Sequence, residues 1–429
     1  MSNSDSKNQQ QNTDKKMGFN ATWSMAVGGM VGGGIFSVLG VIISTAAEWA
    51  WLSFIIAGVI ALISAHSYAQ LSITYEKSGG AFTFLSEATH EKIATSLSWI
   101  LILGYILTIS VYAFTFGHYV ANVVNLGDWL PRVLAFAIIF GLALINFRGI
   151  GDSSNVEIIT VWGKLFVLLG LAIFGLSQWD MPQLTKGIEP KPWHTAIIGA
   201  ATIFMAYEGF QLLSYDYDDM KNPKKTLPKA TISAVIAVIG IYVLVSLGAT
   251  MLVGADVLIE KKEVALALAG KQALGTTGLI LVTIAAAFST GSAINATLFS
   301  TGRLVETVAQ NKDLPSFLAK ENKSKVPFYA ISILAALAIL LAVIGSLDSL
   351  VEAASLIFLI TFGIVNYLAF KKKVKYHWFC LLGSISCLAA ILISSYRQFQ
   401  ENPIPSSIVW GIIILIFITS PYLSKKIKQ

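Results

Sequence analysis

The feature that most restricts this chain is a series of long apolar stretches, recurring from one end to the other with almost no charge inside them. They lie at 22–46, 50–74, 94–125, 133–147, 158–178, 195–215, 230–253, 276–302, 328–347, 353–370, 376–396 and 404–423. Most are long enough to cross about 30 Å of hydrocarbon at about 1.5 Å per helical residue. A water-soluble fold would leave much of this surface wet, whereas a bilayer accommodates all of it. Only 13% of the 429 residues are charged, and the mean hydropathy is +0.69. An all-α integral membrane protein of twelve transmembrane helices is expected.

An even number of spans puts both termini on one side, and the basic residues decide which. Segments on the terminal side hold 22 Lys and Arg against seven in the opposite loops, with Lys164 inside a span. That excess places both termini in the cytoplasm and the chain in the cell membrane. Scattered over short loops, the net charge of +6 forms no continuous basic face, so no nucleic-acid partner is expected. Cys380 and Cys387, the only cysteines, sit seven residues apart in one span and offer no disulfide framework. Residues 1–16 are rich in Asn, Gln and Ser and are expected to form a disordered cytoplasmic tail, with a second short tail at 424–429. No apolar run with a small-residue cleavage site precedes the first span, which is expected to direct insertion itself.

Charges inside the spans carry most of the functional information. Well away from the span ends, only Lys164 and Glu208 are Asp, Glu, Lys or Arg, and Arg303 follows the eighth span directly. An ionisable group at membrane depth is costly, which makes each a functional candidate. The plainer alternatives are a wet cavity wall or structural hydrogen bond for Glu208, and snorkelling to an interface for Lys164.

Gly28-Gly29-Met30-Val31-Gly32-Gly33-Gly34 places five glycines in seven residues near the middle of the first span. Glycine there weakens a helix and lets another group approach the backbone. Close helix packing is one reading. The other is an unwound segment whose free N–H groups receive an anion and whose carbonyls receive a cation. Five spans later, Phe204-Met205-Ala206-Tyr207-Glu208-Gly209-Phe210 sets a glycine and a charge at mid-depth again. Interrupted helices at equivalent places in two halves point to a transporter site. On this placement 17–178 and 195–370 are inverted five-helix repeats, and 376–423 supplies helices eleven and twelve.

These motifs resemble those of the amino acid-polyamine-organocation family. The resemblance rests on Gly29-Met30-Val31-Gly32-Gly33-Gly34-Ile35-Phe36, Ser78-Gly79-Gly80-Ala81-Phe82-Thr83-Phe84, the Phe204–Phe210 segment with Lys221–Ala230 after it, and Ser292–Thr297 through Arg303 to Leu314-Pro315, all in the family's order. It implies a LeuT-like fold of five plus five helices with two more at the C-terminus, and secondary transport of amino acids. It further implies that a substrate carboxylate meets the amides of Gly33, Gly34 and Ile35, beside Gly32. The amino group would meet carbonyls near Met30 and Val31 and those of Phe204 and Tyr207. The substrate side chain would point toward Glu208 and the third helix, where Tyr105 and Ser110 are candidates. Two departures stand out: Gln211 occupies a place where many relatives have Asp, and Asn311-Lys312-Asp313 replaces Arg-Asp-Gly before Leu-Pro.

Lys164 matches the fifth-helix lysine of the archaeal proton-coupled, broad-specificity amino acid transporter of this family, where the ammonium stands in the place of a sodium ion. Burial disfavours the charged form of a lysine, so a group that charges and discharges as access alternates can couple protons to transport. Ser289 and Thr290, with Ala286, match the pattern that supplies sodium ligands in other relatives and belong to the same coupling region; polar helix packing is their other reading. The expected partners are an amino acid, a proton and membrane lipid, with no cofactor, no metal and no obligatory protein partner. Uptake and exchange both remain open.

A Mg²⁺-dependent membrane transferase is the rival from another class, because Asp216-Tyr217-Asp218-Asp219 could hold the cation beside a pyrophosphate. It lacks a second acidic cluster facing the first, and the lysines that follow suit a solvated loop. A channel or sensor finds no filter motif and no signalling domain. The expectation is a carrier and not an enzyme.

Overall fold

Hydrocarbon gives a peptide group no partner except another peptide group, so apolar stretches of this length fold as helices and break only where side-chain chemistry compels it. The computed structural model describes residues 16–88, 91–124, 126–149 and 154–428. Most of the expected tail at 1–16 lies outside the described residues. The first half contains α1 (Phe19–Ala46), α2 (Ala50–Tyr75), α3 (Gly80–Ala88), α4 (Glu91–Val124), α5 (Leu130–Asn146) and α6 (Ser154–Leu176). The second contains α7 (Thr195–Thr202), α8 (Pro223–Val253), α9 (Ala255–Glu260), α10 (Ala265–Gln310), α11 (Phe328–Ile344) and α12 (Leu347–Lys371), followed by α13 (His377–Glu401) and α14 (Pro403–Lys428). Among the described residues there is no strand, only two isolated bridges, Met17 with Met220 and Glu321 with Pro327.

Eight helical stretches among the described residues are long and apolar enough to cross a membrane, or nine if the bent pair Thr195–Thr202 and Phe204–Asp219 is one span. One of the eight, Phe19–Tyr75, holds the first two expected spans, divided by a turn over Ala47–Trp49. Leu130–Asn146 and Phe328–Ile344 are shorter. The boundaries follow local chemistry. Asn222 enters the left-handed region (φ 48°) just before Pro223, whose missing N–H costs nothing at a helix start. Ser346 caps α12 by accepting from the Ser349 N–H at 3.4 Å. In α10 the helical dihedrals fail at Leu274 and Gly275 (φ 62°), next to the expected start of the eighth span at 276. Its other end overruns the expectation: the helix continues to Gln310, so Arg303 lies within it.

Burial shows which helices are central. The apolar window of Phe19–Tyr75 is 94% buried, against 28% for His377–Glu401 and 17% for Pro403–Ile427. The last two helices turn residues such as Leu388, Leu392 and Ile418 outward, as lipid contact requires. α1 therefore runs through the middle of the bundle, and whatever acts on it acts on the core.

Candidate functional site

The sixth apolar stretch does not make one helix. α7 stops at Thr202, a 3₁₀ turn covers Phe204–Tyr207, Glu208 is extended (φ −65°, ψ 143°), Gly209 takes φ 131°, and a 3₁₀ segment continues over Phe210–Asp219. The two parts meet at 59°. Only glycine adopts the Gly209 conformation readily. A Cβ there would also stand 2.5 Å from the Gly29 carbonyl carbon, so the break and α1 touch backbone to backbone.

Side chains from other helices take the polar groups that the break releases. Ser355 of α12 donates to the Thr202 carbonyl at 2.7 Å and accepts from the Met205 N–H at 3.0 Å. Gln211 Oε1 accepts from the Gly209 N–H at 2.8 Å. The Tyr242 hydroxyl of α8 lies between two carbonyls, 2.6 Å from Met30 and 2.8 Å from Ala206, and so joins α1 to the break. A break satisfied in this way is stable without water, which buried backbone demands.

α1 differs from the expectation of an unwound glycine segment: it is helical without interruption from Phe19 to Ala46. The physical reason is packing. A Cβ would stand 2.9 Å from Gly209 Cα at Gly29, 2.7 Å from Ala293 Cβ at Gly32, 1.9 Å from Tyr112 Cδ1 at Gly33 and 2.4 Å from the Tyr242 hydroxyl at Gly34. Bare backbone lets four neighbours approach at once. The amides of Gly33, Gly34 and Ile35 are thus part of a helix in this conformation. The Met30 and Val31 carbonyls already meet hydroxyls, Tyr242 at the first and Ser289 at the second, at 3.0 Å.

Glu208 is buried and joins α4 to the break. Its Oε1 accepts from Gln211 Nε2 at 2.8 Å and its Oε2 from the Tyr112 hydroxyl at 3.4 Å. Tyr105 reaches it through Gln211, whose Nε2 is 3.5 Å from the Tyr105 hydroxyl. Ser110 is placed elsewhere, with its hydroxyl 2.7 Å from the Ile106 carbonyl and 3.1 Å from the Ala338 carbonyl of α11. The Phe204 ring packs edge-on against Phe362 at 5.6 Å, and the Tyr207 hydroxyl donates to the Phe54 carbonyl at 2.7 Å. Tyr112, Tyr242 and Ser355 were not singled out in the sequence: each is one more hydroxyl in an apolar run, with no spacing that marks it.

Lys164 does not snorkel. Its side chain is buried, and its ammonium donates to the Gly28 carbonyl of α1 at 3.1 Å. Trp162, two residues earlier, stacks on Trp23 with ring centroids 5.7 Å apart, a second tie between α6 and α1. Thr290 turns its hydroxyl back onto its own helix, 2.7 Å from the Ala286 carbonyl, whereas Ser289 faces α1.

The acidic segment is a clasp between loops. Asp218 accepts from the Ser78 N–H at 3.3 Å and its own N–H donates to the Ser78 hydroxyl at 3.1 Å; the Asp219 carbonyl accepts from the Met17 N–H at 2.8 Å. Among the described residues no group of three or more His, Cys, Asp or Glu could hold a metal ion. Asp216 and Asp219 instead edge a cavity of 430 Å³ that also meets Ser78, Tyr215, Arg303 and Thr307, on the face that carries the chain termini.

Comparison with known proteins identifies the family and the fold. The model of the amino acid permease family matches residues 17–424. An uncharacterised protein of Methanocaldococcus jannaschii is 29% identical over 418 residues, 94% of each chain. The inner membrane transport protein YbaT of Escherichia coli is 26% identical over 424 residues, 96% of this chain and 97% of that one. The serine/threonine exchanger SteT of Bacillus subtilis is 27% identical over 375 residues, 84% of each. Among solved structures, a manganese transporter of Eremococcus coleocola, in complex with an aromatic bis-isothiourea compound, shares the fold with a TM-score of 0.63 at 12% identity over 95% of each chain.

Proposed function

Because this chain belongs to the amino acid permease family, and so to transporters and not to enzymes, we propose that it carries amino acids by alternating access, as proton-driven uptake with Lys164 as the coupling group. The observation that carries this reading is the buried Lys164 ammonium on the carbonyl of Gly28, the first residue of the glycine segment. A charged lysine donates there and holds α1 against α6. A neutral lysine holds it less, because hydrogen bonds from charged donors are about twice as strong as neutral ones. Protonation and the position of α1 are then linked, and linkage runs both ways.

Substrate would enter between α1 and the break. Its carboxylate would face the Gly33, Gly34 and Ile35 amides and its amino group the carbonyls of Met30, Val31, Phe204 and Tyr207. That pose needs the turn containing Gly32 to open and the Tyr112 ring to leave Gly33. Each glycine lowers the cost of opening by about 0.8–1.0 kcal/mol relative to alanine. Glu208 and Tyr105 would line the side-chain end, and Ser289 and Thr290 the coupling side. The twelve spans, the inverted repeats at 17–178 and 195–370, and cytoplasmic termini in the cell membrane complete the reading.

Exchange is the second reading, favoured by the likeness to the serine/threonine exchanger. One experiment addresses both. In liposomes, an inward acid gradient should drive uptake of labelled alanine into empty vesicles, and Lys164→Ala should abolish the response to pH. Uptake that needs internal amino acid and ignores the gradient would establish exchange instead, and undiminished gradient-driven uptake in Lys164→Ala would remove the lysine from the mechanism.

A further inference from the structure

Arg397 stands four residues before the end of α13, a helix outside the two five-helix repeats, yet it contacts both helices that build the site. Glu401 holds the guanidinium from one side, with Nε donating to Oε1 at 2.9 Å and Nη2 lying 2.8 Å from Oε2. On the other side Nη1 donates to the Thr45 hydroxyl of α1 at 3.3 Å and to the Thr202 hydroxyl of α7 at 3.1 Å. Donors and acceptors match. Thr45 gives its own hydrogen to the Val41 carbonyl at 3.0 Å and Thr202 gives its to Ile198 at 3.1 Å, so each hydroxyl has a lone pair left for the arginine. Nη1 has two hydrogens, one for each, in the planar fork that a guanidinium alone provides.

The same end of α1 is held a second time. The Lys191 ammonium lies 2.5 Å from the Ser44 carbonyl and 3.2 Å from that of Thr45, where a cation suits a helix C-terminus. The Lys191 N–H lies 3.1 Å from Glu48 Oε1, and the Trp49 indole donates to the Lys191 carbonyl at 2.8 Å. Burial, and after it the charge of Arg397, keep this lysine below its ordinary pKa. All of this is on the face opposite the chain termini. A cavity of 430 Å³ opens on the other face, while on this face Arg397 and Glu401 themselves edge a shallow one of 440 Å³ beside Ile198.

We propose that Arg397 is a positioning residue, the latch that closes the carrier on the face opposite its termini by pinning the end of α1 to the end of α7, and that it releases when this face opens. The proposal rests on the carrier reading for its meaning in transport, though not for the contact itself. Arg397→Gln removes the fork and its Glu401 support. Arg397→Lys keeps the charge but offers a point donor without a fixed plane. Thr202→Val removes one acceptor while leaving the arginine and the shape in place.

Two measurements test it on the full chain. Spin labels at the exposed His194 and Gln400 report the separation of α7 from the end of α13, and Cys380 and Cys387 are buried and do not compete for label. Wild type should give one narrow distance distribution, Arg397→Gln a longer and broader one, and Arg397→Lys and Thr202→Val intermediate ones. In liposomes of known orientation, Arg397→Gln should lower the alanine KM on the latch face relative to that on the terminal face by about tenfold, a sided change that a general loss of structure does not produce. Distance distributions in Arg397→Gln and Thr202→Val that superimpose on wild type would overturn the latch, as would an unchanged KM ratio between faces. Absence of amino acid transport in the wild type would sink the carrier reading while the distances still judge the contact.

Discussion

Replacing Gly209 with alanine tests whether the break in the sixth apolar stretch depends on one residue. Two costs can be worked from the structure. Gly209 has φ 131° and ψ −40°, a region where an L side chain is strained by about 1–3 kcal/mol. The added Cβ would stand 2.5 Å from the Gly29 carbonyl carbon and 2.6 Å from the Met30 amide nitrogen. Comfortable carbon contacts lie near 3.5–4.0 Å, so α1 or the break must yield by roughly 1 Å. Both partners are backbone, which has no rotamer to turn away, and such overpacking costs about 1–3 kcal/mol. The sum is about 2–6 kcal/mol. Thermal unfolding of the purified protein in detergent, followed by intrinsic fluorescence, measures it. Gly240→Ala in α8 is the control, since its Cβ meets nothing within 4 Å and alanine is favoured in a helix by about 0.8–1.0 kcal/mol. Gly209→Ala should unfold well below wild type and Gly240→Ala at or above it. If both variants unfold with wild type, and Gly209→Ala transports normally, the break does not depend on glycine at 209.

Tyr112→Phe keeps the ring on Gly33 and loses only the long hydroxyl contact to Glu208, so it should cost about 1 kcal/mol or less. Tyr112→Ala should cost about 3–5 kcal/mol of stability and yet tighten alanine binding, measured by isothermal titration, because the competing ring is gone; weaker binding would assign the ring to the bound state. For Glu208→Gln, arginine should lose potency relative to alanine as a competitor of labelled uptake, and an identical ranking in both proteins would take the carboxylate out of the substrate pocket.

What could be read in the sequence follows from which constraints are chemical and which are geometric. Apolar length located the helices, because hydrocarbon thickness admits few alternatives: Ala50–Tyr75 matches the expected 50–74 closely, whereas the helix expected at 230–253 starts seven residues earlier, at Pro223, where Lys and Pro residues hide its first two turns from an apolar count. The cost of buried charge singled out Lys164 and Glu208, and both are buried and bonded to other helices, Lys164 to the Gly28 carbonyl and Glu208 to the Tyr112 hydroxyl. The glycine segment of α1 was legible as unusual but not as to its use. Unwinding and close packing both call for absent side chains, and only the positions of Tyr112, Tyr242 and Ala293 distinguish them. Gly209 differs because its positive φ is a demand of its own. Arg397 was invisible as a contact: a basic residue at a helix end reads as topology, and its acceptors, Thr45 and Thr202, are 352 and 195 residues away.

The proposed transport requires amino acids to bind between α1 and the break, beside Gly33 and Glu208. A density map of the protein with saturating alanine tests it most directly. The amino acid should contact the Gly32–Ile35 backbone and the Phe204–Tyr207 carbonyls, with Tyr112 swung off Gly33 and α1 opened at that turn. An amino acid bound elsewhere, with α1 still an unbroken helix and the Tyr112 ring still seated on Gly33, would contradict it.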